Sequence, residues 1–402
     1  MNAKNFALQH ARLTLTVFTL VASTGYLLSL GIYYVLNSSN QRLTLKIQAV
    51  TGENKTSEDQ LVQIKNELED LKSQDQYVIN KTLEADIKAI ETTYNQAVET
   101  YERLLDLKVI SKKTEKFDSA FAESLTLLSQ RNYASAEANF DLLMTQIEEE
   151  KNKIVSSFTI PANVPTNNAP PSSGYSRQVV HTDIGDFLFD IVTADLNSTR
   201  VIVDTASDGD CSDNCPRFPL ATFVARNGGF AGINGAYYCP ADYPSCSGKV
   251  NSFDLLVMNK NKVYFNSNNN VYSTNPVVIF KDNWARFVRQ ASEWGRDISV
   301  DAVISNFPLL VFENQIVFSG YKDHYKWGIK STRSFVGANG NTVYIGVIHN
   351  ASLEEAAKAL QTLGIQYAMN LDGGGSTALW VNGSYAVGPG RELTNVIVFV
   401  RK

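Results

Sequence analysis

The sequence predicts an α+β head, a mixed β-rich sheet with a few helices, carried on an N-terminal transmembrane helix and an α-helical stalk. Three observations lead there. Residues 13–36 form an uncharged apolar run. Residues 41–155 hold almost no helix breakers, with Gly52 as their one glycine and no proline. From Arg177 onward, short β-rich runs alternate with turn residues.

The apolar run, Leu13 to Leu36, is long enough at a rise of about 1.5 Å per residue to cross a hydrocarbon core. Lys4 and Arg12 precede it, which favours a cytoplasmic segment at residues 1–12. A cleaved signal peptide is the competing reading. Its apolar region would be shorter and followed by small residues, whereas this run closes with Tyr33-Tyr34-Val35-Leu36. The expectation is a single-pass signal anchor, with stalk and head outside the cytoplasm.

Within residues 41–155, Leu61, Ile64, Leu68 and Leu71, then Ile87, Ile90, Tyr94, Ala97, Tyr101 and Leu104, recur in steps of three and four. That is a coiled-coil-like seam, with its register broken near Asp75 and a face on which a second copy could associate. A second arm runs from Phe117 to Ile147, and Ser111-Lys-Lys-Thr is the expected turn of a helical hairpin. The stalk reads as a spacer, with a partner-binding surface as the alternative. Residues 156–176, dense in Pro, Ser and Asn and without charge, read as a semi-rigid, largely disordered linker.

In the head, residues 177–402, the expected strands include Phe187–Val192, Arg200–Asp204, Thr342–Ile348 and Asn395–Val400. Ser352 and Glu355 form a capping box ahead of an apolar stripe that Gly364 ends. A strand entering at Ile365 leads into Asp372-Gly-Gly-Gly-Ser-Thr377, and a hairpin turning at Asn382-Gly383 follows. Cys211, Cys215, Cys239 and Cys246 suit an exported domain with two local disulfides, 211–215 and 239–246, and zinc is the rival reading.

The net charge of −5, without a basic stripe, excludes a nucleic-acid footprint. Three consecutive glycines between strands either make a tight turn, with Asp372 bonding its own backbone, or a nest of N–H groups around an anion. Asn234 with neighbouring aromatics suits a sugar-sized pocket, and Arg333 and Arg391 are cations beside turns that match phosphate oxygens.

Four blocks in order, Gly232-Ile-Asn-Gly-Ala-Tyr-Tyr, Thr332-Arg-Ser-Phe-Val-Gly, Asn370-Leu-Asp-Gly-Gly-Gly-Ser-Thr and Arg391 with Asn395-Val-Ile-Val, resemble the phosphodiester glycosidase family over residues 180–402. Many of its bacterial members are associated with exopolysaccharide. The resemblance implies hydrolysis of a sugar-1-phosphodiester of the GlcNAc-1-phosphodiester kind in a cell-surface or extracellular glycan. Its catalytic set would be Asp372, Arg333 and Arg391, with the phosphate near the arginines and the Gly373, Gly374 and Gly375 amides. Asn234 and Asn370 would hold the sugar, and Gly235, Tyr237, Ser376, Thr377 and Asn395 would complete the binding set. Asp254 is the candidate second carboxylate, and His324 and His349 are weaker catalytic candidates. No cofactor or metal ligand set is predicted, and a divalent cation stays open. A non-catalytic glycan- or phosphoglycan-binding head is the alternative.

Overall fold

The computed structural model describes residues 3–266, 273–318 and 325–402. The chain divides between Ala89 and Ile90. In the first unit, α1 (Ala3–Ser73) is exposed from residue 10 onward and contains one stretch long and apolar enough to cross a membrane. Leu61, Ile64, Leu68 and Leu71 of the expected seam lie on its open surface. At Gln74 the helix breaks, and α2 (Asp75–Ile110) begins where the register was expected to fail.

The second unit runs from Ile90 to Lys402 and joins the end of the expected stalk to the head. The turn after Ile110 lies at the predicted place. The second arm, however, is two helices, α3 (Glu115–Ser129) and α4 (Tyr133–Ser156), parted by Arg131 at φ +60°. Asn132 caps α4 by accepting from the Ser135 N–H. No glycine or proline marks this break, so helical periodicity alone ran through it. Leu104, Leu107, Phe117, Leu143 and Ile147 form one buried cluster, and Ala97, Leu128, Ala136 and Phe140 the next. The end of α2 thus makes a three-helix bundle with α3 and α4.

The expected disordered linker is also different. The Val179 N–H donates to Pro165 O at 2.9 Å, and Gln178 Nε2 donates to both Asn167 O and Ala169 O at 2.8 Å. These bonds lay residues 165–169 along the first head strand, because that strand offers a free edge to a chain too proline-rich for a helix.

The head then proceeds through β1 (Gly174–Thr182), β2 (Gly185–Asp195), β3 (Thr199–Thr205), α5 (Leu220–Arg226) and β4 (Ala231–Asn234). Next come β5 (Val257–Met258), β6 (Tyr264–Phe265), β7 (Val277–Lys281), β8 (Trp284–Val288), β9 (Ala302–Ser305), β10 (Leu309–Phe312), β11 (Gln315–Ile316) and α6 (Tyr325–Gly328). The chain ends with β12 (Ser331–Asn339), β13 (Thr342–Ala351), α7 (Leu353–Thr362), β14 (Tyr367–Asn370), β15 (Leu379–Val381), β16 (Ser384–Val387) and β17 (Asn395–Arg401).

Among the described residues these make three sheets: β1-β2-β13-β12-β14-β10-β11, then β16-β15-β4-β17-β3, then β6-β5-β9-β7-β8. Strand alternation decides the layers. Phe187, Phe189 and Ile191 pack under α7, while Val192 and Ala194 face the other way, into a core shared by all three sheets. On β3, Val201 and Val203 enter that core, and Ile202 turns out beneath Phe223 and Val224 of α5. Both hydrogen bonds of the Ser352–Glu355 capping box are present. Both local disulfides, Cys211–Cys215 and Cys239–Cys246, are formed.

Phe140 is fully buried in the bundle and its ring lies 5.7 Å from that of Phe121. Phe140→Ala should cost about 3–5 kcal/mol of folding free energy, read as a lowered denaturant midpoint. An unchanged midpoint would show that the bundle is not packed as described.

Candidate active site

The glycine run is where the chain leaves one sheet for another. β14 belongs to the seven-stranded sheet and β15 to the five-stranded sheet beside it, and residues 371–378 cross between them. Asn234, wholly buried at the end of β4, ties the crossing down. Its Nδ2 donates to Asp372 O at 2.6 Å, and its Oδ1 accepts from Ser334 Oγ at 2.8 Å and from the Ala378 N–H at 3.1 Å. The Asp372 N–H donates to Gly235 O at 3.0 Å.

Gly235 is required here by close approach. A Cβ at this position would collide with the Asn395 side chain and lie 2.8 Å from Asn395 O. Asn395 is itself fixed, since its Oδ1 accepts from the Ala236 N–H at 2.7 Å. Asn370 Nδ2 donates to Tyr237 Oη at 2.7 Å and to Phe307 O at 3.1 Å, while Asn306 Nδ2 donates to Asn370 O at 2.8 Å. Asn234, Gly235, Asn370 and Asn395 therefore sit beneath the floor of the site and not on it. Their buried amides build the floor, where direct sugar contact was the expectation.

Above this floor is a cleft of about 440 Å³, lined by Tyr237, Asp254, Arg333, Asp372, Gly373, Gly374, Gly375, Ser376 and Arg391. Asp372 Oδ1 accepts from the Gly373 N–H at 2.9 Å, the self-bonded turn, after which Gly374 to Ser376 form one 3₁₀ turn. Of the two sequence readings of the glycines, the tight turn with Asp372 bonding its own backbone is the one formed, and that turn lines the cleft. Gly375 has a specific task. A Cβ there would overlap the Arg391 guanidinium, lying 3.0 Å from its Nε, so the missing side chain is the seat of Arg391. The Arg391 N–H also donates to Gly375 O at 2.8 Å. Thr377 stands just behind, its hydroxyl 3.0 Å from that of Thr332.

Burial pushes the Asp372 carboxyl up to about 6, although Ser376, the Arg391 charge and the Gly373 N–H all favour its ionised form. For Arg391, burial pulls the other way. The Asp372 carboxylate, with Tyr238 and Tyr243, outweighs it and holds the guanidinium protonated. Asp254 stands on the cleft wall, open to solvent in the cleft, yet enclosed enough that burial raises its carboxyl.

Arg333 lines the cleft too, but its guanidinium is buried and turned to the backbone. Nε donates to Ala351 O at 3.0 Å and Nη2 to Ile329 O at 2.5 Å, and burial pulls its pKa down to about 10. His349 lies off the site, with Nε2 at 2.6 Å from Asp190 Oδ2 and its ring stacked on Phe158. His324 lies outside the described residues. Among the described residues no group of three or more His, Cys, Asp or Glu side chains is placed to hold a metal ion.

Several lining residues were not read as site residues. Glu102, Asp106 and Lys151 come from the helical bundle, Tyr243 from the Cys239–Cys246 loop, and Trp327 from α6. The charged residues look like any solvated helix face, so local sequence held no signal for them. For Tyr243, the disulfide spacing was such a signal.

Residues 224–400 match the phosphodiester glycosidase family. Among solved structures, the chain is similar to the zebrafish N-acetylglucosamine-1-phosphodiester α-N-acetylglucosaminidase catalytic domain, described as auto-inhibited by pro-peptide. That match is 17% identical, covers 58% of this chain and 85% of that one, and has a TM-score of 0.46. A hypothetical protein from Synechocystis is 14% identical, with a TM-score of 0.41, over 57% of this chain and 62% of its own length. An exported protein of Burkholderia pseudomallei K96243 is 11% identical over 54% of this chain and 74% of that one, with a TM-score of 0.36. No curated protein matches the chain.

Asp372 titrates from 3.8 in a free chain to about 6 when folded. The folded state keeps its proton to higher pH, so stability is greatest below about pH 4 on this account and falls as pH rises to about 6. The loss is on the order of 3 kcal/mol once the group is fully ionised. Asp372→Asn should therefore unfold at higher denaturant than the wild type at pH 8, and the difference should vanish near pH 4. A variant less stable than wild type at pH 8 would contradict the burial argument.

Proposed function

We propose that the head is a phosphodiester glycosidase that hydrolyses a sugar-1-phosphodiester at the anomeric C–O bond. The observation that carries this is the placement of Asp372 and Arg391 together over a glycine turn in one cleft. A phosphate monoester is a weakly basic leaving group, so fixed cations can do much of what a general acid does elsewhere. Arg391, held protonated and seated against Gly375, faces the charge that develops on the departing phosphate. Asp372 in its ionised form acts on water or on the oxocarbenium-like carbon. Asp254, also in the cleft lining, is the candidate second carboxylate of the reaction, and its charge opposes ionisation of Asp372. Arg333, committed to carbonyls, serves to brace the floor beneath the substrate.

The rest of the chain supports an exported, membrane-anchored enzyme acting on a cell-surface or extracellular glycan. Two disulfides in the head fit an oxidising compartment, and α1 carries the candidate span. Lys4 and Arg12 support an N-terminus on the cytoplasmic side.

A methyl diester of N-acetylglucosamine 1-phosphate is the test substrate. Its kcat/KM should rise with pH through about 6, the value to which burial brings Asp372. Asp372→Asn should lower kcat by about a thousandfold or more. Full activity in that variant removes Asp372 from the chemistry. Binding of the diester without product would make the head a glycan-binding module instead.

A further inference from the structure

One wall of the cleft is not supplied by the head. Glu102 and Asp106 on α2 line it together with Asp372 and Arg391. Four residues apart, the two carboxylates project from one face of the helix. Both meet the disulfide-closed loop Cys239–Cys246: the Ser245 N–H donates to Glu102 Oε1 at 3.0 Å, and the Tyr243 hydroxyl donates to Asp106 Oδ1. On its other side Tyr243 meets the site. The Arg391 guanidinium lies over the ring, 5.8 Å from its centroid.

A phenol has a single O–H proton and two acceptor lone pairs. With that proton committed to Asp106, the hydroxyl anchors the ring on which the Arg391 guanidinium rests. Burial, then the Asp106 charge, hold the phenol neutral. The order of groups is thus carboxylate, phenol, guanidinium, carboxylate, running from the helical bundle to Asp372.

We propose that Asp106 is a positioning residue for Arg391: through the Tyr243 hydroxyl it fixes where the guanidinium sits beside Asp372, and Glu102 pins the loop that carries Tyr243. The bundle is then a working part of the site and not only a spacer. This rests on the reading of Arg391 as the cation that faces the departing phosphate. Without Asp106 the Tyr243 hydroxyl loses its anchor, the ring can shift, and the long arginine side chain resting on it regains alternative rotamers. Misplacement of a catalytic cation by about 1 Å can cost about a hundredfold in rate.

The test uses the full chain in detergent, with Asp106→Ala, Asp106→Glu, Tyr243→Phe and the Asp106→Ala/Tyr243→Phe pair. Two readouts are taken: turnover of the methyl diester, and the rate at which phenylglyoxal modifies Arg391, followed by peptide mass spectrometry. Arg226, paired with Asp204 away from the cleft, reports general loosening. Asp106→Ala and Tyr243→Phe should each lower kcat by about ten- to a hundredfold. The double variant should be no worse than the more impaired single, and Asp106→Glu should recover most of the activity. Arg391 should react faster with phenylglyoxal in the alanine variant while Arg226 does not. Additive losses, or unchanged Arg391 reactivity in Asp106→Ala, would overturn the proposal. If the wild type turns over no diester, the glycosidase reading fails by itself, and the phenylglyoxal rates still decide whether Asp106 positions Arg391.

Discussion

One buried amide joins the pieces on which the site depends. Asn234 accepts from β12 and from the start of the β15 segment, and donates to the carbonyl of Asp372. It thereby locks two sheets together at the point where the chain crosses between them. An asparagine with both ends satisfied in a dry interior tolerates little displacement, because each broken bond leaves a buried polar group unpaired. Everything above it inherits that rigidity: the Asp372 carboxyl, the turn of glycines, and the seat of Arg391.

The electrostatics follow from the same enclosure. Asp372 is half-buried in a site enclosed enough to disfavour its ionised form, and its neighbours return only part of that cost. A carboxyl with a pKa of about 6 can be ionised near neutral pH while remaining responsive to its surroundings. Arg391 shows the complementary balance, burial against three favourable partners. An ionisable carboxyl held in a pocket that a neutral group would fill better gives up stability at this spot.

Much of the head was legible in the sequence because its signals are local. The Ser352–Glu355 box, the stripe of α7, the Asn382-Gly383 turn and the strand alternations need only neighbours to be read. Asp372, Gly373, Gly374, Gly375 and Arg391 could be grouped only through the four ordered blocks that resemble a family, because a glycine run beside charged residues is as readily a plain tight turn. Nothing local marks which amides line the cleft and which lie under its floor. Asn234, Asn370 and Asn395 are polar residues whose burial is set by strands far away in the chain. The same holds for the bundle. Glu102 and Asp106 become wall residues only because α2 ends beside the Cys239–Cys246 loop, a tertiary fact with no periodicity of its own. The break at Arg131 was hidden for a different reason, since a single residue with positive φ suffices to end a helix without glycine or proline.

On the proposed function, the cleft breaks the bond from the sugar, not the bond to phosphorus. Hydrolysis of a sugar-1-phosphodiester in ¹⁸O-labelled water, with mass analysis of both products at early times, tests it most directly. Cleavage of the anomeric C–O bond puts label at the anomeric oxygen of the released sugar and none in the phosphomonoester. Label in the phosphomonoester would contradict it, because attack would then be at phosphorus and Asp372 would face the wrong atom.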